Sequence, residues 1–154
     1  MTMTAQGTDN ETRFSSLSSL LRHALDDDML SPDAETLLEM MRDDIVFEFP
    51  FPIPNGTQRI EGKTALATYL SIVGTVLSID VLTVKRSLIS QDRCSAVLEF
   101  SCMGASKTSG ARYDQDYVSV IDFLDGRISC YRDYWNPLIA QAALGDSALL
   151  KARA

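Results

Sequence analysis

From Thr12 to Leu25 the apolar residues Phe14, Leu17, Leu20, Leu21 and Ala24 recur at three- and four-residue intervals, the spacing that gathers side chains into one stripe of an amphipathic helix. The acidic run Asp26, Asp27 and Asp28 closes it. A second helix is expected from Ser31 as N-cap, with Pro32 at the first helical position and Asp33 and Glu35 in the first turn, where the dipole favours negative charge. Its apolar members are Leu37, Leu38 and Met41. At Ile45 to Phe51 the period changes to two, with Phe47, Phe49 and Phe51 on one face. The prolines at 50, 52 and 54 argue for an edge strand running into a loop. Asn55-Gly56 marks a turn, and Gly62 and Gly74 bracket a third helix whose inward residues are Ala65, Leu66, Tyr69, Leu70 and Val73.

After Val76 helical signals vanish until Pro137. Four strands are expected at about 76–89, 93–103, 111–124 and 127–136, separated by Gln91-Asp92, the stretch Gly104 to Gly110, and the hairpin dipeptide Asp125-Gly126. In the first of them the apolar alternation runs through Leu77 and Ile79 but returns at Leu82 and Val84, a change of parity that predicts a bulge or sharp bend. Asn136-Pro137 reads as the cap and first position of a final helix, Leu138 to about Leu144. The order ααβαββββα, helices ahead of an antiparallel meander, is an α+β pattern. Residues 1–11 read as a disordered tail, which leaves 12–154 as a single domain without internal repeat.

Composition narrows the function classes. With 154 residues, 45% hydrophobic and 23% charged, the chain suits one globular core. Lys and Arg number 14 against 21 Asp and Glu, a net charge of −7 with no basic run, which disfavours a nucleic-acid partner. No apolar run approaches the roughly 18 residues of a membrane span, and Met1 to Arg13 lacks the apolar core of a secretion signal. No membrane association and a cytoplasmic location are the expectation. Cys94, Cys102 and Cys130 are odd in number and widely spaced, so free thiols are expected rather than disulfides or a metal site. His23 has no second histidine with which to share a metal, and the run Asp26 to Asp28 lacks the spacing of a calcium loop. No metal and no organic cofactor are expected.

The stretches "RDDIVFEFPFP", "RIEGKTALATYL" and above all "DGRISCYRDYWNPL" resemble the SnoaL-like superfamily of the nuclear transport factor 2-like, or cystatin-like, fold, over roughly residues 13 to 145. Relatives in that group include polyketide cyclases, limonene-type epoxide hydrolases and phenazine-biosynthesis A/B proteins. The resemblance implies an α+β cone, a curved antiparallel sheet wrapped around N-terminal helices with an internal pocket. It also implies that the acid of "YRDYW", Asp133, points into that pocket. Alternation puts Ser129, Tyr131 and Trp135 on the face of Asp133, opposite Ile128, Cys130, Arg132 and Tyr134. Matching the other strands to the family pattern turns Ala96, Leu98, Phe100, Cys102, Tyr113, Gln115 and Tyr117 inward, with Phe47 and Phe49 from the first strand. The expected substrate-binding set is Tyr131, Trp135, Gln115, Tyr117, Phe100, Cys102, Phe47, Phe49, Tyr69, Leu77 and Ile79, with Asp133 catalytic.

Departures from relatives restrict the chemistry. The arginine and second aspartate of limonene-type epoxide hydrolases fall on Phe100 and Cys102, and their water-orienting tyrosine and asparagine on Phe47 and Phe49. Water activation would therefore rest on Asp133 alone. The general base of the more distant ketosteroid isomerases falls on Phe49. What remains is one carboxyl among aromatics, whose burial should raise its pKa toward the range of general acid or base work, with Gln115 and phenols as hydrogen-bond donors. That set suits isomerisation, dehydration, aldol-type cyclisation or imine condensation of a small hydrophobic molecule, without choosing among them.

Plainer readings stand beside these. Asp133 can be a structural carboxylate capped by a tyrosine or paired with an arginine. Tyr131 and Trp135 can be core aromatics, and Cys102 a small core residue. Asp114 and Asp116 belong with Arg112 on the outer face as ordinary ion-pair partners. Two other functions use the same fold: a non-catalytic protein that binds a hydrophobic ligand, and a dimerisation module. The outer face of the meander carries Val97, Met103, Val118, Val120, Cys130 and Tyr134 among charges, a mixture that suits a two-fold homodimer.

Overall fold

In a computed structural model that describes residues 12–144, the chain runs β1 (Arg13–Phe14), α1 (Leu17–Ala24), α2 (Leu37–Met40), β2 (Met41–Glu48), β3 (Arg59–Glu61), α3 (Lys63–Val76), β4 (Leu77–Ile89), β5 (Ser95–Ser106), β6 (Gln115–Leu124), β7 (Arg127–Trp135) and α4 (Pro137–Leu144). The expected tail at 1–11 and the stretch after 144 lie outside the described residues. The strands form one curved sheet in the order β1-β4-β5-β6-β7-β2-β3. All pairings are antiparallel except β2 with β7. The α+β architecture is as expected, and among the described residues no helix is long and apolar enough to cross a membrane.

Several elements differ from the pattern-based expectation. Phe14 does not extend the first helix: it pairs with Leu82 in the short β1, and α1 begins after Ser16, whose hydroxyl accepts from the Ser19 N–H. The helix expected from Ser31 starts only at Leu37, capped by Thr36. Residues 31–34 are instead a turn tied to the β6–β7 hairpin, because the Ser31 N–H donates to the Gly126 carbonyl at 2.8 Å. Arg22 donates to the Ser31 and Ala34 carbonyls and holds that turn against α1.

The strand expected at the edge, β2, lies inside the sheet between β7 and β3. Its ladder ends at Glu48, before the prolines, so none of them has to donate within it. Past Pro50 the facing changes, and Phe51 is 57% exposed rather than inward with Phe47 and Phe49. In α3, Gly62 is the N-cap residue at φ +90°, while Gly74 lies inside the helix instead of ending it, and Ala65 is exposed rather than inward.

The sheet bends at irregularities. In β4 the pairing shifts between Ile79 and Val81, where the parity change predicted a bulge, and again between Val84 and Arg86. At the first bend Gly104 is required: a Cβ there would lie 2.4 Å from the Ser78 carbonyl oxygen. A further shift opposite Asp122 and Phe123 leaves Ser129 unpaired in β7 and turns Ile128 inward, fully buried, against the alternation expected from the sequence. Asp125 and Gly126 both take positive φ, 54° and 75°, as a tight two-residue hairpin needs. At the other end of β7 the Asn136 carboxamide oxygen caps α4 by accepting from the Leu138 N–H at 3.0 Å. The core lies between the concave face and the helices, with Leu20, Leu21, Leu66, Leu98, Ile121 and Ala140 fully buried.

Candidate active site

Alternation along five neighbouring strands aims their concave-face side chains into one space, and the helices close it. The result is a cavity of about 230 Å³. β7 contributes Tyr131, Asp133 and Trp135; β6 contributes Tyr117; β5 contributes Phe100 and Cys102; β4 contributes Leu77 and Ile79; β2 and its continuation contribute Phe47 and Phe49; α3 contributes Tyr69. These are the expected residues with one exception, Gln115. Its carboxamide is spent on the backbone at the head of α4, donating to the Asn136 carbonyl and accepting from the Asn136 N–H, both at 2.9 Å. Gln115 is fully buried and anchors α4. The helix ends add Ser15, Ser16, Leu17, Leu37 and Leu144 to the lining, which strand alternation cannot reveal.

Aromatic rings hold the walls. Phe47 stacks on Tyr131 with centroids 4.7 Å apart and planes 5° off parallel, Phe100 stacks on Tyr117 at 5.0 Å, and Phe49 packs at 5.1 Å from Trp135 and 5.5 Å from Tyr69. Such pairs contribute about 0.5–1.5 kcal/mol each beyond the area they bury. Trp135 is fixed further by its indole N–H, which donates to the Phe51 carbonyl at 2.7 Å.

Asp133 lines this cavity and is partly accessible through it, yet apolar walls strip its carboxyl of water. Desolvation pushes its pKa up to about 7, and a hydrogen bond from Ser119 pulls the other way. The Ser119 hydroxyl donates to Asp133 Oδ1 at 3.3 Å and accepts from the Tyr131 hydroxyl at 2.8 Å. Tyrosine, serine and aspartate thus form a directed chain that ends on the carboxyl. Among the described residues no arginine or lysine pairs with Asp133, so the ion-paired structural reading has no partner here.

One sequence signal marks Ser119, the parity it shares with Tyr117; the bulge between β6 and β7 then sets its Cα opposite that of Asp133.

A second group of phenols lies at the cavity's β5–β6 side. The Tyr113 and Tyr117 hydroxyl oxygens are 2.5 Å apart, and both rings line the cavity. Burial pushes the ionisation of Tyr69, Tyr113, Tyr117 and Tyr131 upward, so all four stay protonated at neutral pH. Burial also raises the Cys102 thiol to about 11, a value at which it is not a nucleophile.

His23, the acidic run and the outer-face charges take ordinary surface places. His23 is exposed in the last turn of α1 with its ring 5.1 Å from Phe14. Asp26 and Asp28 are exposed and pair with Arg93. Arg112 pairs with Asp114, and Lys85 with Asp116, on the outer face. Among the described residues no group of three or more His, Cys, Asp or Glu side chains is arranged to hold a metal ion. Cys94, Cys102 and Cys130 are free thiols, Cys102 being buried and Cys130 part-exposed.

Comparison with known proteins finds relatives of the chain and of its fold. Residues 22–131 match the model of the SnoaL-like domain. An uncharacterised Bacillus subtilis (strain 168) protein, YesE, is 38% identical over 121 residues, 79% of this chain and 82% of its own. A PhzA/B-like protein of Pseudomonas aeruginosa, PA3332, is 33% identical over 113 residues, 73% of this chain and 79% of its own. The crystal structure of a Bacillus subtilis protein provisionally named an isomerase is 37% identical, superposes with a TM-score of 0.71, and covers 85% of this chain and 94% of that one. A nuclear transport factor 2-like protein from Burkholderia xenovorans LB400 shares the fold at 19% identity, with a TM-score of 0.56 over 70% of this chain and 80% of that one.

Proposed function

This chain belongs to the SnoaL-like family, and from that premise we propose that it is a cofactor-independent enzyme in which Asp133 moves a proton on a small hydrophobic substrate, in an isomerisation, dehydration or cyclisation. The observation that carries the reading is the carboxyl itself. It sits in an apolar cavity, unpaired by any cation among the described residues, held by one serine hydroxyl, with its pKa pushed up to about 7.

A group with that value gives and takes protons with little bias near neutral pH, the condition for efficient general acid–base catalysis. As base, the carboxylate takes a proton from an activated carbon of the substrate; as acid, the carboxyl formed returns it to another carbon or to a leaving hydroxyl. Proton count is conserved over the cycle, and no co-reactant is needed. The isomerase name given to the Bacillus subtilis structure is consistent with this class of reaction.

The test is deuterium exchange from D₂O into a panel of small ketones and other weak carbon acids that bind the protein, followed by NMR. Wild-type protein is expected to accelerate exchange into at least one of them. Asp133→Asn, which keeps the side chain's size but cannot relay a proton, is expected to lose about a hundredfold to ten-thousandfold of that rate. Full exchange activity in a folded Asp133→Asn variant would overturn the reading. Ligand affinity within about tenfold of wild type, with no exchange by either protein, would instead identify a binding protein.

A further inference from the structure

The two carboxyl oxygens of Asp133 meet different surroundings. Oδ1 accepts from the Ser119 hydroxyl at 3.3 Å. Oδ2 takes no hydrogen bond from the described residues, yet it is not sealed within protein, so the cavity is the space it opens to. On the Oδ1 side the direction of each hydrogen bond follows from counting protons. A carboxylate only accepts, so Ser119 gives it the one hydroxyl proton it has. The 2.8 Å contact between Ser119 and Tyr131 must then run from the phenol to the serine oxygen.

Protonation of the carboxyl does not reverse this chain. A proton on Oδ1 would be donated to Ser119, Ser119 would donate to Tyr131, and the phenol proton would be left over. Ser119 and Tyr131 are fully buried, and Ser119 is the phenol's only hydrogen-bond partner among the described residues. A buried donor without an acceptor is unfavourable. With the proton on Oδ2 instead, the phenol still donates to Ser119, Ser119 still donates to Oδ1, and the acid proton faces the cavity. The supports of the chain are firm. Strands β6 and β7 have neighbours on both sides, the Cα atoms of Ser119 and Asp133 pair across them, and Phe47 stacks on the Tyr131 ring at 4.7 Å.

We propose that Ser119 and Tyr131 are positioning residues, whose hydroxyl chain commits Oδ1 of Asp133 and makes Oδ2 the single atom that takes and returns the substrate proton. The proposal rests on the proton-transfer reading above and adds the atom that carries it out. When Oδ2 takes a proton from a substrate carbon, the C–H bond breaks, its electron pair stays on the substrate, and an O–H bond forms at Oδ2. The return step breaks that O–H bond and delivers the proton to another atom of the substrate. The Ser119 and Tyr131 protons are not transferred, because the chain has no member beyond Tyr131 among the described residues to supply or receive one. It braces the carboxyl and does not relay protons. Removal and return from one oxygen confine the transfer to one face of the substrate.

Titration of Asp133 by carbon-13 NMR, with aspartate carboxyls labelled, tests the chain without a substrate. A hydroxyl that donates to the carboxylate favours the charged form, whereas one that accepts from the acid favours the neutral form, so the sign of the shift on removing Ser119 reports the direction of the bond. Ser119→Ala is expected to raise the midpoint by about one pH unit above wild type, the difference between a charged and a neutral hydrogen bond. Tyr131→Phe keeps the ring but removes the donor that polarises Ser119, and is expected to raise the midpoint by a smaller amount. The other titratable groups facing the cavity do not mask these shifts. Tyr69 from α3, Tyr113, Tyr117 from β6 and Cys102 from β5 are all pushed upward by burial and are neutral near pH 7, and no lysine, arginine or histidine is among the described lining residues. A midpoint unmoved or lowered in either variant would overturn the proposal. If Ser119→Ala does not fold by circular dichroism, Tyr131→Phe decides alone. A wild-type midpoint near the ordinary aspartate value of about 3.9 would remove the proton-transfer reading and the proposal with it. A wild-type midpoint of about 7 with unmoved variants would leave that reading standing and remove the role of the chain alone.

Discussion

A carboxyl paired with arginine is pulled far below neutral and becomes inert as a proton carrier, whereas among the described residues Asp133 has a serine hydroxyl as its hydrogen-bond partner and lies between apolar walls. The choice of partner has a thermodynamic signature. In the folded protein the Asp133 proton is held up to about pH 7, while in the unfolded chain it leaves near the ordinary aspartate value of about 3.9. Between those values the folded state binds more protons than the unfolded one, so this group's contribution makes stability fall as pH rises through the window. Asn at the same place has no such dependence. The melting temperature of Asp133→Asn relative to wild type is therefore expected to rise from pH 5 to pH 8, as measured by calorimetry in matched buffers. A variant that loses stability relative to wild type over that range would mean that the charged form of Asp133 is a structural asset, and the acid–base reading would lose its physical basis. Legibility at this scale was high for the carboxyl and its aromatic neighbours, since period-two alternation and the "YRDYW" motif locate them. It was low for Gln115, because parity gives a side chain's direction but not its partner, and the nearby start of α4 claims that carboxamide.

Among the elements, β4 to β7 were readable because antiparallel strands joined by short turns depend on local signals: alternation, Asp125-Gly126, and the broken parity before Leu82 that marks the bend. Failures cluster where tertiary partners override local pattern. Phe14 continues the helical stripe of Leu17 and Leu21 in sequence, yet pairing with β4 draws it into β1. Ser31-Pro32 has the chemistry of a helix start, but the Gly126 carbonyl captures the Ser31 N–H and delays the helix to Thr36. The parallel pairing of β2 with β7 joins segments far apart in the chain, and no local signal encodes it. These departures matter to the site. β2 is placed beside β7, not at an edge, and this sets Phe47 on Tyr131 and Phe49 against Trp135.

At the scale of the whole molecule, one curved sheet has two faces with different tasks. The concave face is the cavity. On the convex face Met103 is 52% and Val118 37% exposed, with Tyr134 and Cys130 part-buried beside Arg132. An outer face of that composition is expected to be covered in a two-fold homodimer, and light scattering at micromolar concentration should give twice the chain mass of 17.0 kDa; the mass of a single chain would contradict it. On the concave face the carboxyl of Asp133 lies between apolar walls with no second carboxyl among the described lining residues, and it is expected to titrate near neutral pH, where it can serve the proposed proton transfer. Carbon-13 NMR of protein labelled at aspartate carboxyls, with the Asp133 resonance assigned by its loss in Asp133→Asn, measures this directly as pH is varied. A titration midpoint of about 7 for Asp133 is the expected result. A midpoint near the ordinary aspartate value of about 3.9 would contradict the account.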